Sequence, residues 1–444
     1  MQAIINPLEF LNYQAKIELL DSEISQSDKD SLKAMVDNTR SYLSQHHADD
    51  YVLSLLDVNA RSKIRHYIAD YIKEARDVTF NTDMKTIIQY VQREITEMGV
   101  LQPALDDPSI SSIEINGPGE VVVEQDGFPV HRIDIRFDNV DHIYQIIDRM
   151  LMPIGKTLNA STPIIDSNYR GFRINAIADV TRGGVSLDSP IISIRKFPPD
   201  VYLDEACIQY GNISEEISNF NRDVIPAGAN ILIGGGTNSG KTATLMRTPL
   251  YLDPLERILT IEDSAEMMLK QKTSYENYPN IAAMVAKEHV KESSAQPIWK
   301  LVKTSLRQNP DWIFIGEIRD EETAKQALVA ANTGHFIASS IHANSAREAA
   351  IRLLQLNGNT ITAASQIGTT IDLIYFQEYH FGKRIVTEIA ELIGFQGTEE
   401  PILNPIFTYD FSAGHHVLVG KLKKLKKNLT KARVSEEILR RWCE

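Results

Sequence analysis

Apolar residues recur at helical spacing through SLKAMVDNTRSYL and DMKTIIQYVQREITEMGVL, with charged faces between them, so residues 1–95 read as an N-terminal helical region. From Asp107 the period changes to two. The runs SISSIEIN, EVVVEQ and FPVHRIDIRF alternate apolar and polar positions, and Gly117-Pro118-Gly119 and Asp126-Gly127 separate them, which predicts antiparallel hairpins. HIYQIIDRMLMPIG returns to helical spacing and predicts a helix covering that sheet; GFRINAIADV and SPIISIRKF predict two further strands. Residues 96–197 thus read as a small α+β domain. Pro198 and Pro199 then interrupt the pattern, and the acidic PPDVYLDEACIQYG predicts an interdomain linker over 198–210 with a hinge.

Beyond the linker, apolar strands alternate with helical stretches: ANILIGG, RILTIED, DWIFIGEIRD, HFIASSIHAN and RIVTEIAELIGF. That alternation predicts an α/β domain over 211–400 with a mostly parallel sheet covered on both faces. Residues 401–444 read as a C-terminal extension. Its segment GKLKKLKKNLTKAR interleaves basic residues with leucines and predicts a solvated terminal helix, in preference to a membrane or nucleic-acid docking element.

Composition narrows the class. The 444 residues exceed one ordinary domain, and a 43% hydrophobic fraction supplies real cores. With 59 acidic against 46 basic residues the net charge is -13, so no stable nucleic-acid binding is expected. No apolar run approaches the roughly 18 residues of a membrane span, and MQAIINPLEF lacks the regions of a signal peptide, which places the expected protein in the cytoplasm. Cys207 and Cys443 are the only cysteines, so neither a disulfide framework nor a four-cysteine zinc site is available.

The most informative stretch is ILIGGGTNSGKTATLM, where an apolar strand enters a glycine-rich turn and then a helix-forming run. Gly235, Gly236, Thr237, Asn238, Ser239, Gly240, Lys241 and Thr242 fit G-x-x-x-x-G-K-[ST]. Each residue type answers a need of bound triphosphate. The glycines let backbone N–H groups close on phosphate oxygens, Lys241 reaches the outer phosphates, and Thr242 can hold Mg²⁺. Asn238 must accept the tight turn, which asparagine tolerates better than most residues.

A phosphate loop alone hydrolyses nothing. Two apolar strands end in carboxylates, RILTIED at Glu262 and Asp263 with Glu266 following, and DWIFIGE at Glu317. Open α/β sheets bind ligands at such strand ends. One carboxylate could position Mg²⁺ through water and the other could orient or deprotonate the attacking water; spacing alone fixes neither role. In TGHFIASSIHANSA, His342 ends a predicted strand where an imidazole could contact a γ-phosphate, whereas His335 beside Gly334 could hold a turn.

Taken in order, GGTNSGKT, ILTIEDSAE, NPDWIFIGEIRDEET and NTGHFIASSIHANSA resemble the phosphate loop, acidic box, Walker B segment and histidine box of the type II/IV secretion ATPase superfamily. DDPSISSIEINGPGEVVVEQDG, SPIISIRKF and the HANS tetrad resemble in addition its Tad or CpaF pilus-assembly type. The resemblance implies a RecA-like P-loop ATPase domain preceded by a PAS-like α+β domain. It also implies a homo-hexamer that uses ATP and Mg²⁺ to drive a pilus or secretion machine, docked on a platform protein at the cytoplasmic face of the inner membrane. Carried onto this chain, it makes Glu266 the water-activating base, Glu317 the Walker B carboxylate and His342 a sensor, with Glu262 and Asp263 supporting the metal. Arginines of the smaller domain are expected to complete the site, Arg173 and Arg195 ahead of Arg182.

Two competing functions follow from the same residues. A DNA-translocating or conjugation ATPase is opposed by the acidic balance and by the lack of a basic, aromatic-interleaved segment. A non-motor ATP-binding scaffold is opposed by the carboxylates at two strand ends.

Overall fold

The computed structural model describes residues 28–56, 60–74, 79–125, 128–169, 171–197, 200–287, 295–380 and 382–444, which form two compact units divided between Phe197 and Pro198. The expected turn at Asp126-Gly127, the proline pair at the linker and the first 27 residues lie outside the described residues.

In the first unit, helices α1 (Lys29–His46), α2 (Ala48–Leu56), α3 (Arg61–Glu74) and α4 (Met84–Thr96) enclose their own core. Ile64, Ile68 and Ile72 on α3 and Ile87, Val91 and Ile95 on α4 recur every four residues, so each helix buries one stripe. The Asp83 side chain starts α4 by accepting from the N–H groups of Lys85 and Thr86. After the short α5 (Gln102–Asp106) comes a six-stranded antiparallel sheet in the order β3-β2-β1-β6-β5-β4. Its strands are β1 (Ile110–Gly117), β2 (Glu120–Gln125), β3 (Phe128–His131), β4 (Ile164–Tyr169), β5 (Phe172–Ile177) and β6 (Ile191–Lys196). Helix α6 (Val140–Leu151) covers it, packing Ile143, Tyr144 and Ile147 on the sheet's buried Ile113, Ile174 and Ile194. Buried Arg149 of α6 donates to the backbone oxygens of Glu94 and Glu97 and ties the end of α4 to the helix that covers the sheet.

The second unit opens differently from expectation. Residues 204–210 of the expected linker are helix α7 (Asp204–Tyr210), whose Asp204 and Cys207 are buried, so among the described linker residues only 200–203 run irregularly. Helix α8 (Glu215–Val224) leads into a nine-stranded sheet. Six strands are parallel: β7 (Ile231–Gly235), β8 (Ile258–Glu262), β9 (Ile281–Val285), β10 (Trp312–Ile315), β11 (Phe336–His342) and β12 (Leu373–His380), in the order β12-β7-β11-β10-β8-β9. Between them lie α9 (Lys241–Arg247), α10 (Ile298–Ser305), α11 (Glu321–Asn332), α12 (Ala346–Leu356) and α13 (Ile361–Thr370). On β7, Ile231 and Ile233 enter one core and Leu232 the other. Burial on both faces is why these strands read as continuous apolar runs.

The segment RIVTEIAELIGF is a strand but not a parallel one. It lies in β13 (Lys383–Gln396), antiparallel to β12, because the connection from His380 to Lys383 is too short for a crossover helix. The expected C-terminal extension is likewise part of the unit: β14 (Glu400–Asp410) and β15 (His415–Leu418) continue the sheet, and α14 (Lys426–Lys431) and α15 (Glu436–Trp442) close the chain. The leucines of the basic tail are core residues. Leu422, Leu425 and Leu429 are buried with Trp442, and fully buried Glu391 accepts from the N–H groups of Lys423 at 2.8 Å and Leu425 at 2.7 Å. Among the described residues no helix is long and apolar enough to cross a membrane.

Candidate functional site

Strand β7 ends at Gly235, directly opposite His342 at the end of β11, and the loop that follows winds into α9. Two residues turn it with positive φ, Asn238 at 61° and Gly240 at 92°. Asparagine is among the few side chains that accept this conformation readily. Glycine suits position 240 because of that positive φ, and a Cβ there would also crowd its neighbours, at 3.1 Å from Arg384 Cδ and 3.2 Å from Gln377 Nε2. Lys241, 8% exposed, folds back over the loop and donates to Gly235 O at 2.9 Å and Gly236 O at 2.7 Å. Thr242 stands beside it in the first turn of α9.

Parallel pairing brings the other strand ends to the same edge. Ile315 of β10 is level with Ile261 of β8 on one side and Ser339 of β11 on the other. From Lys241 Nζ it is 3.5 Å to His342 Nδ1, and His342 Nε2 lies 3.2 Å from Glu317 Oε1 without the alignment of a hydrogen bond. Glu317 Oε2 is gripped by Arg319, at 2.8 Å from Nε and 2.7 Å from a terminal nitrogen, and the same guanidinium reaches Asp263 Oδ2 at 2.5 Å. Burial and the Lys241 charge hold the His342 pKa below its usual value, against the opposing pull of Glu317.

Glu262 is buried, and its Oε1 accepts from the N–H groups of Met267 at 2.8 Å and Glu266 at 3.2 Å, so one of its two oxygens is committed to shaping the acidic loop. Burial pushes its pKa up to about 7, helped by the charges of Glu266 and Asp263 and opposed by the two N–H donors. Glu266 lies on that loop, partly exposed, four residues beyond the strand end. Among the described residues no group of three or more His, Cys, Asp and Glu side chains gathers as a metal cage.

His335 does not share the site with His342. The two flank opposite ends of β11, and a strand of that length separates them by about 20 Å. In the first unit, Arg173 makes two bonds to Asp166, at 3.1 and 2.9 Å, and sits directly opposite Arg195 in the β5–β6 register. Arg195 is exposed. Arg182 bonds Asp141 at 2.7 Å, with its guanidinium 3.8 Å above the Tyr144 ring. Sequence reasoning missed Arg319, Gln377 and Arg384. Arg319 follows Glu317 by two positions and Gln377 is a polar residue inside the apolar run LIYFQ, signals too weak to separate them from surface or packing residues.

Residues 94–380 match the family described as type II/IV secretion system protein. A Mycobacterium tuberculosis protein provisionally named for conjugal transfer is 27% identical over 332 residues, covering 72% of this chain and 92% of its own. The type IV pilus assembly ATPase PilB of Pseudomonas aeruginosa is 34% identical over 148 residues, a third (33%) of this chain and 23% of that protein. Among solved structures, the Legionella pneumophila ATPase DotB is similar at 22% identity with a TM-score of 0.48, over 71% of this chain and 81% of its own. The match takes in the phosphate loop, both carboxylate strand ends and His342, over more than half of the sequence, and on that ground the chain belongs to the type II/IV secretion system protein family.

Proposed function

We propose that the second unit binds ATP with Mg²⁺ and hydrolyses it, and that the chain is the motor of a pilus or secretion machine. The observation that carries this reading is the line of contacts from Lys241 through His342 to Glu317 beside the phosphate loop. The residues fit the ligand. Lys241 lays a buried ammonium on loop carbonyls, where phosphate oxygens would be stronger partners, and Glu317 keeps one buried oxygen, Oε1, without a hydrogen bond. Nucleotide would supply the transferable phosphoryl group. Thr242 would hold Mg²⁺, with Asp263 and Glu317 acting through water, and Glu262 shaping the loop that presents Glu266 as base. Burial favours the neutral ring of His342, which can donate from one nitrogen and accept at the other, and this suits it to register the terminal phosphate.

In the same reading Arg195 supplies a guanidinium to the developing charge. Two arginines directly opposite on one sheet face repel, and Asp166 offsets only Arg173, which leaves Arg195 the better candidate. The working form is a homo-hexameric ring, docked on a platform protein at the cytoplasmic face of the inner membrane. The segments shared with Tad-type pilus ATPases favour that system. The conjugal-transfer name of the Mycobacterium relative supports a second reading, a DNA-translocating motor, for which turnover would rise on adding DNA.

Steady-state ATPase assays with binding measurements test the site. Lys241→Ala should abolish nucleotide binding and turnover, while Glu317→Gln should keep binding and slow hydrolysis by about two to four orders of magnitude. Near-normal turnover in both variants would sink the assignment.

A further inference from the structure

On the flank of the phosphate loop away from His342, two side chains reach the loop from β12 and β13, which pair antiparallel with each other. Gln377 on β12 is 0% exposed; its Nε2 donates to Ser239 O at 2.8 Å and its Oε1 accepts from Thr244 Oγ1 at 2.8 Å. Arg384 on β13 donates through Nε to Asn238 O at 3.0 Å and through a terminal nitrogen to Asn238 Oδ1 at 2.8 Å. Two consecutive loop carbonyls, 238 and 239, are therefore each held by a side chain.

In a trans peptide the C=O and the following N–H point to opposite sides. Fixing Asn238 O and Ser239 O toward β12 and β13 turns the N–H groups of Ser239 and Gly240 the other way, into the concave side of the loop where an anion would be bound. Asn238 matters for the same reason. It holds a left-handed conformation that costs a non-glycine residue free energy, and its side chain is clasped by the guanidinium that clasps its carbonyl. Arg384 is itself steadied. Its carbonyl accepts from Asn212 Nδ2 at 2.8 Å, and its guanidinium lies 5.5 Å from the Tyr379 ring centroid.

We propose that Arg384 and Gln377 are positioning residues of the phosphate loop, holding the N–H donors of Ser239 and Gly240 in their anion-binding orientation before a phosphoryl ligand arrives. The inference rests on the nucleotide reading of the loop. Donors already in place cost no reorganisation on binding, so the effect falls on affinity. The planar fork is essential, because an ammonium cannot bond the carbonyl and the side-chain oxygen of Asn238 in the same geometry.

Calorimetric titration of the full chain with MgADP tests this, with Arg384→Ala, Arg384→Lys, Asn238→Gly and Lys241→Ala compared with the wild type. Arg384→Ala should weaken binding about tenfold or more. Arg384→Lys should be as weak, and the nucleotide-free unfolding midpoints of both should stay within a few degrees of wild type. In the Asn238→Gly background, Arg384→Ala should cost less, because one of its two bonds is already gone. Wild-type affinity in Arg384→Lys would show that charge alone is used, and unchanged affinity in Arg384→Ala would show that the clasp does nothing; either overturns the proposal. If Lys241→Ala also kept wild-type affinity, the nucleotide reading itself would have failed, and this inference with it.

Discussion

On one flank of the phosphate loop, past the ends of β8, β10 and β11, the side chains are ionisable, and most reach solvent: His342 is 50% exposed, Arg319 54% and Asp263 32%, with Glu317 at 13% set beneath them. On the other flank, at β12 and β13, Gln377 and Arg384 are turned onto the backbone of the loop itself. In the proposed function the first flank offers groups to a ligand. The second fixes the shape that the ligand meets. A parallel sheet makes this division natural, since strand ends beside β7 on the β11 side open onto the binding edge, while on the β12 side an antiparallel hairpin folds back over the loop.

The comparison is sharpest in paired kinetics. His342→Ala should lower kcat by about tenfold to a hundredfold with little change in nucleotide affinity, because its contacts lie beside Glu317 and the loop's open side. Gln377→Leu should do the reverse, weakening affinity about tenfold and leaving kcat nearly intact. Equal effects of both variants on both parameters would erase the distinction between the flanks.

Arg195→Ala asks whether the chemical flank is completed from the first unit. About a tenfold fall in kcat is expected at unchanged affinity, with a smaller fall for Arg173→Ala, whose guanidinium is committed to Asp166. Unchanged kcat in the single variants and the double variant would leave these arginines as sheet-surface charges and move attention to Arg182.

The smallest effect concerns stability. The Glu262 pKa is raised to about 7 from an ordinary 4.5, so the folded state favours the neutral acid. Stability from this group is fully present below about pH 4.5 and is lost as pH rises toward 7. Glu262→Gln keeps an acceptor for the two N–H groups without the buried charge. It should therefore be more stable than wild type by roughly 1–3 kcal/mol at pH 8, and no more stable at pH 4. Thermal unfolding of both proteins at the two pH values measures it, and a difference independent of pH would contradict the assigned cause.

Much of the fold was legible because burial leaves a period in the sequence. Ile64, Ile68 and Ile72 mark one helix face, and the runs ILIGG, ILTIE and WIFI mark strands buried on both sides. Where the prediction missed, local composition and tertiary role disagreed. The acidic stretch at Asp204 reads as linker but buries that carboxylate in α7, and the lysine-rich tail reads as solvated although its leucines fill a core. Periodicity reports that a residue is apolar, not which distant surface will cover it.

The same limit separates the two flanks. Gly235 to Thr242, Glu317 and His342 could be singled out as candidates from the chain alone, since binding phosphate restricts residue type and local spacing in the loop and the other two stand at the ends of apolar runs. Parallel register, set by packing along whole strands, decided that Glu317 meets His342, that Glu262 turns inward and that Arg319 joins two carboxylates. The clasp of Arg384 on Asn238 spans 146 residues of sequence and exists only because β13 doubles back on β12. Sequence by itself determined the phosphate loop and the candidate groups at the strand ends. Tertiary structure decided which of them touch, because a contact depends on the free energy of the whole packed sheet and no local segment encodes it.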